Sequence, residues 1–133
     1  MDNQIQEKWN TVADILGLRK NEFVGGVEHC EISVQNLSAI LDMDFIKPEQ
    51  RMNNSPTIST FLEFGKKAMI EGATVEYIGF LESVYRKDAR LVIEGIKITN
   101  FPKSADLIMN FAQAFHGADE FTSNHEILRA WYD

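Results

Sequence analysis

Residues 73–100 hold the feature that most restricts what this chain can fold into. Two runs rich in β-branched and aromatic residues, Thr74 to Val84 and Arg90 to Thr99, flank the polar Arg86-Lys87-Asp88-Ala89. Such runs around a short polar turn predict a β-hairpin. In the first, Thr74, Glu76, Ile78 and Phe80 share one face and Val75, Tyr77, Gly79 and Leu81 the other. In the second, Leu91, Ile93, Gly95 and Lys97 oppose Val92, Glu94, Ile96 and Ile98. Both faces are partly apolar, which is more than an antiparallel pair with one wet face requires. Helices are therefore expected on one face, and a partial cover, a partner subunit or a ligand on the other. Gly79 and Gly95 can fall nearly opposite each other, and glycines at that depth predict a bulge or a close helix crossing ahead of space for a ligand.

Before the hairpin the apolar residues recur at helical spacing. Ile5, Trp9, Val12, Ala13 and Leu16 form one face of a helix over 5–16, which Gly17 ends as a C′ residue with Leu18 as its hydrophobic contact. Residues 12–23 also partly meet the spacing of a helix-turn-helix, through Val12, Ala13, Leu16, Gly17, Leu18 and Phe23. Gly25-Gly26 interrupts the second helix of that motif, and Arg19-Lys20-Asn21-Glu22 offers a short recognition segment with two positive charges. Residues 27–32 alternate loosely enough for a short strand, while Ile32, Val34, Leu37, Ile40, Leu41 and Phe45 favour a helix over 33–45 with Ser33 as N-cap. Ser55-Pro56 reads as an N-cap hydroxyl before an N1 proline, opening a helix that ends near Glu71-Gly72. Lys66 and Lys67 fall in its last turns, where cations suit the helix dipole.

After the hairpin, Phe101-Pro102-Lys103-Ser104 predicts a strand end and a helix start, with Ser104 as N-cap and Asp106 in the first turn. Leu107, Ile108, Phe111, Ala112, Ala114 and Phe115 give that helix a wide apolar face, and Gly117 closes it. Short strands over 119–122 and 126–132 follow, around Ser123-Asn124-His125. The expected architecture is a single α+β domain over residues 1–133. Its N-terminal helices precede a ββαββ segment, which builds a mainly antiparallel sheet with helices packed on one face.

Composition bounds the function. A chain of 133 residues is one domain by size and can bury roughly two-thirds of its unfolded surface. The lone Cys30 excludes an internal disulfide, and the polar start Met1-Asp2-Asn3-Gln4 carries no apolar leader, so a reducing, cytosolic compartment is expected. No apolar run approaches the roughly 20 residues of a membrane span. A formal charge of −7 disfavours broad nucleic-acid binding and favours solubility or basic partners.

Chemistry-bearing motifs are few. The sequence lacks G-x-x-x-x-G-K-[ST], G-x-G-x-x-G, G-x-S-x-G and H-E-x-x-H, so no cofactor is implied and the motif-marked enzyme classes drop out. His29, Cys30, His116 and His125 have no metal-ligand spacing, and adjacent His29-Cys30-Glu31 on a strand would point to opposite sides. Glu28 and Glu31 would raise the Cys30 pKa, which suits a buried inert thiol better than a nucleophile. The basic tip Arg86-Lys87-Asp88-Ala89-Arg90 reads as a solvated turn.

Two functional classes remain. In the first, the chain is a small acidic accessory or protein-interaction module without motif-marked catalysis, self-associating as a homodimer or meeting another protein. The two-sided hairpin and the terminal Trp131 and Tyr132 point that way. In the second, a small molecule or substrate occupies a pocket between the sheet and the 104–116 helix, using Tyr77, Glu94, His116 or Arg129. DNA binding through residues 12–23 is a weaker third.

Overall fold

The computed structural model describes residues 3–18, 27–52, 54–82, 90–102 and 105–133. In chain order the elements are α1 (Asn3–Leu16), β1 (Val27–Ser33), α2 (Val34–Asp42), α3 (Ile58–Ile70), β2 (Thr74–Glu82), β3 (Leu91–Thr99), α4 (Ala105–Phe115), β4 (Glu120–Ser123) and β5 (Ile127–Trp131). The strands form one antiparallel sheet in the order β1-β2-β3-β5-β4, and the helices pack on one of its faces. The α+β architecture expected from the hydrophobic patterning is therefore the observed one. The turn at 86–89, the Ser104 cap and positions 19–23 of the helix-turn-helix stretch lie outside the described residues.

Local rules set most element ends. Gly17 adopts φ 69°, the Leu18 N–H donates to the Ala13 carbonyl and the Gly17 N–H to that of Asp14. This is the double-bonded left-handed stop that closes a helix without orphaned carbonyls. Gly72 at φ 94° closes α3 in the same way, through Ala73 to Ala68 and Gly72 to Met69. Ser33 caps α2 by accepting the Asn36 N–H.

One open reading is settled and two expectations are revised. Residues 27–33 are a strand, because β2 supplies a full ladder partner from Val27↔Glu82 to Ser33↔Glu76. The helix expected over 33–45 ends at Asp42, where the Met43 N–H bonds back to Ala39 and Asp44 turns to φ 61°. The cap of α3 is Thr57, whose hydroxyl accepts the Thr60 N–H. Ser55 closes the preceding turn instead, accepting the Met52 N–H and donating to the Pro56 carbonyl.

The core lies between the sheet and the helices. Val75, Tyr77 and Leu81 of β2, Ile96 and Ile98 of β3, and Leu128 and Ala130 of β5 meet Leu37, Ile40, Phe61, Leu62, Phe111 and Phe115 in one buried cluster. α3 descends closest to the sheet: the Tyr77 hydroxyl donates to the Phe61 and Leu62 carbonyls, and a Cβ at Gly65 would overlap that hydroxyl. Only glycine lets the helix approach so near. α1 is fastened at the other end, where the buried Trp9 indole N–H donates to the Glu82 carbonyl at 2.7 Å.

Candidate functional site on the outer face of the sheet

The face of the sheet turned away from the helices owes its shape to one irregularity. Ile78 pairs with Gly95 but Gly79 pairs with Ile93, so Glu94 is an extra residue on β3. This β-bulge, the structural outcome expected of the two glycines, re-aims one side chain out of the regular alternation. Both glycines are required by close backbone approach. A Cβ at Gly79 would overlap the Val92 carbonyl, and one at Gly95 the Ala130 carbonyl.

The re-aimed residue is a carboxylate. Glu94 is 7% exposed, with the His29 Nδ1 of β1 at 3.9 Å from Oε1 and the Trp131 indole N–H of β5 donating to its side chain. His29 itself packs edge-on against Phe80, with ring centroids 5.8 Å apart. Ile78, Phe80 and Trp131 are half-buried on this face. Farther along, charges are paired across strands: Lys97 Nζ lies 3.3 Å from Glu31 and 3.7 Å from Glu76, and Arg129 Nη1 lies 2.8 Å from Glu120. Glu31 and Glu76 share a side-chain hydrogen bond that lowers the Glu31 pKa and raises that of Glu76.

Burial is the main influence on Glu94 and raises its pKa. The nearby His29 and the Trp131 donor act against the rise, and Asp133 adds to it. A carboxyl whose folded pKa lies above its unfolded value contributes stability that is complete below the unfolded pKa of 4.5 and is lost as pH rises through the folded pKa. Glu94→Gln keeps an acceptor for the indole N–H and removes the charge. Chemical denaturation from pH 4 to pH 8 should find the variant equal to wild type at the acid end. At pH 7 it should be more stable by on the order of 1 kcal/mol, the scale of burying an imperfectly compensated polar group. A constant difference across that range would count against this account.

Among the six residues singled out from sequence, the fold brings together only Glu94 and Trp131 through their side chains. Tyr132 is buried in the core, and its backbone N–H donates to the Glu94 carbonyl at 2.8 Å. Tyr77 is also buried, on the helix face, where loss of solvation raises its pKa. Arg129 belongs to the outer face through Glu120, and His116 is exposed just beyond α4, its Nδ1 3.1 Å from the Ala112 carbonyl. Aromatic side chains pack against the inner side of α4: Phe61 of α3 stacks on Phe115 at 5.6 Å, Phe111 and Phe64 lie 5.0 and 5.1 Å from Phe115, and Phe111 reaches Phe121 of β4 at 5.6 Å. A shallow groove runs between α3 and α4, lined by Phe64, Lys67, Glu71, Leu107, Asn110, Gln113 and Ala114, and does not reach the predicted residues.

His29, which from sequence is only a candidate metal ligand, joins the site beside Glu94. Its signal was present in the alternation of His29 with Glu31, which shares the outer face once 27–33 is a strand. Cys30 points the other way and packs against the core, where burial, with Glu28 and Glu94 nearby, pushes its thiol up to about 12. A thiol held there stays protonated at neutral pH and is a poor nucleophile. Among the described residues no three His, Cys, Asp or Glu side chains gather to hold a metal ion, and no helix is long and apolar enough to cross a membrane. Comparison with protein-family models, curated proteins and solved structures found no match to this chain.

Proposed function

We propose that the chain is a small protein-interaction module that docks its partner on the outer face of the sheet. The observation that carries this reading is the arrangement there of Ile78, Phe80 and Trp131. Their half-exposed side chains sit beside the Lys97–Glu31–Glu76 and Arg129–Glu120 ion pairs. An apolar, aromatic centre with a polar, charge-paired margin is the usual anatomy of an interface. The aromatic filling beneath α4 supports this reading over an internal substrate pocket. The partner is another protein or a second copy of the chain, and the cytosolic setting expected from the lone cysteine belongs to the same proposal.

Substitutions that spare the core test it. Ile78→Asp and Phe80→Asp place a charge in the outer face, whereas Ile70→Asp does so on α3, where Ile70 is 86% exposed. Affinity capture from the source cell, together with sedimentation of the pure protein, should show partner capture or self-association by the wild type and by Ile70→Asp. The two outer-face variants should lose it by tenfold or more while keeping wild-type circular dichroism. Equal retention by all three variants would reject the outer face as the docking surface.

A further inference from the structure

A carboxylate withdrawn from water is costly unless a full positive charge faces it. Around Glu94 the groups are His29 from β1, the Trp131 indole N–H from β5 and the Asp133 carboxylate, which adds repulsion. Among the described residues no lysine or arginine nitrogen lies within 4 Å of its carboxylate, and the two nearby cations of the face, Lys97 and Arg129, are held by Glu31, Glu76 and Glu120. A glutamine could accept the indole N–H equally well, so the indole bond alone does not require a charge at this position.

The surroundings suit a cation. Aromatic ring faces attract ammonium and guanidinium groups, and here Phe80 and His29 stand to one side of the carboxylate and Trp131 to the other. His29 keeps 75% of its side chain exposed, so it can yield its place beside Glu94 without disturbing the core. The apolar stem of a lysine or arginine covers surface such as Ile78 while its head meets the carboxylate.

We propose that the outer face binds a basic segment of a partner protein, with one lysine or arginine side chain seated between Phe80 and Trp131 against Glu94. The proposal rests on the interaction reading above and names the chemistry of the partner. Charge complementarity selects this occupant. A second copy would bring the same −7 charge and the same Glu94 to the contact, and a nucleic acid would bring phosphates to a recessed carboxylate. A lysine or arginine side chain instead brings a permanent positive charge to the carboxylate, and offsets the stability that Glu94 sacrifices at neutral pH.

The probe is a fluorescein-labelled decapeptide of alternating lysine and threonine, with a glutamine-threonine decapeptide as control. Binding is followed by anisotropy and by amide and indole NMR spectra of the whole chain. The lysine peptide should bind and the control should not. The Trp131 indole signal should shift while that of Trp9, buried in the core, stays in place. Glu94→Gln, expected to fold at least as stably as wild type, should weaken binding about tenfold, as befits loss of a charge-assisted contact beside aromatic rings. Glu63→Gln makes the same charge change on α3 and should leave binding unaltered. Equal weakening by both variants would mean diffuse attraction to an acidic protein and overturn the proposal. So would failure of the lysine peptide to bind while outer-face capture of an uncharged or acidic partner, or dimerisation abolished by Phe80→Asp, persists. In that case the interaction reading stands without its basic partner. Loss of both would remove the two together.

Discussion

Gly95→Ala is expected to destabilise the fold by about 3 kcal/mol, the upper range for forcing an extra carbon into a packed site. The new Cβ would overlap the Ala130 carbonyl and press within 3.2 Å of the Trp131 Cα. These are backbone atoms of β5, which cannot swing aside as a side-chain end can. Relief requires β5 to move away from β3, loosening the ladder from Gly95↔Trp131 to Thr99↔Ile127. Urea unfolding should show a lower midpoint with an unchanged slope, since the surface exposed on unfolding is nearly the same. The Trp131 indole NMR signal should shift as well, because that residue is paired with Gly95. A loss below about 1 kcal/mol, or an unmoved indole signal, would show that the strands can separate cheaply and that the bulge does not hold Trp131 beside Glu94.

Trp9→Ala should cost more, about 4 kcal/mol, which is within the range for emptying a buried aromatic site. Trp9 is 1% exposed, and its indole N–H meets the Glu82 carbonyl at the end of β2, 73 residues later in the chain. Truncation leaves a cavity and removes the indole donor to the Glu82 carbonyl. Trp9→Phe separates the two effects: it retains most of the apolar volume and loses the donor, and should cost about 1–3 kcal/mol. Against a total stability of roughly 5–15 kcal/mol for a domain of this kind, the alanine variant should approach the unfolding threshold at physiological temperature. Differential scanning calorimetry of the wild type and the two variants gives the ordering directly. Equal losses for alanine and phenylalanine would assign the whole effect to the hydrogen bond.

Much of the element order was readable because it follows from short-range rules. The alternation in 74–82 and 91–99, the left-handed glycines after α1 and α3, the Ser33 cap and the apolar face of α4 each depend on residues within one or two turns of one another. The same local rules place the α3 cap at Ser55, before Pro56, whereas the structure uses the Thr57 hydroxyl on the other side of that proline. The choice was made by the preceding turn, which uses Ser55 to close itself onto Met52. Val27–Ser33 stayed ambiguous for a related reason: its apolar positions run on into those of α2, and only the ladder with β2 makes the first seven residues extended.

The candidate site was only half legible. Glu94 and Trp131 stood out singly, as an acid inside an apolar strand and an aromatic near the end of the chain, but nothing in their spacing joins residues 37 positions apart. Tyr77 drew notice as a polar aromatic and proved to be a fastening between β2 and α3, because its hydroxyl found carbonyls of a helix that began 19 residues earlier.

The sequence alone was sufficient for the hairpin at the centre of this protein, with its two partly apolar faces and its pair of glycines, because side-chain alternation and glycine's missing Cβ are properties of neighbouring residues. Which face the helices cover, the order of β1, β5 and β4 around the hairpin, and the outward turn of Glu94 toward His29 and Trp131 were decided only by tertiary structure. Strand order depends on pairings between distant segments. The bulge depends on backbone carbonyls of facing strands coming too close for any side chain at Gly79 and Gly95, a contact that does not exist until the sheet is built.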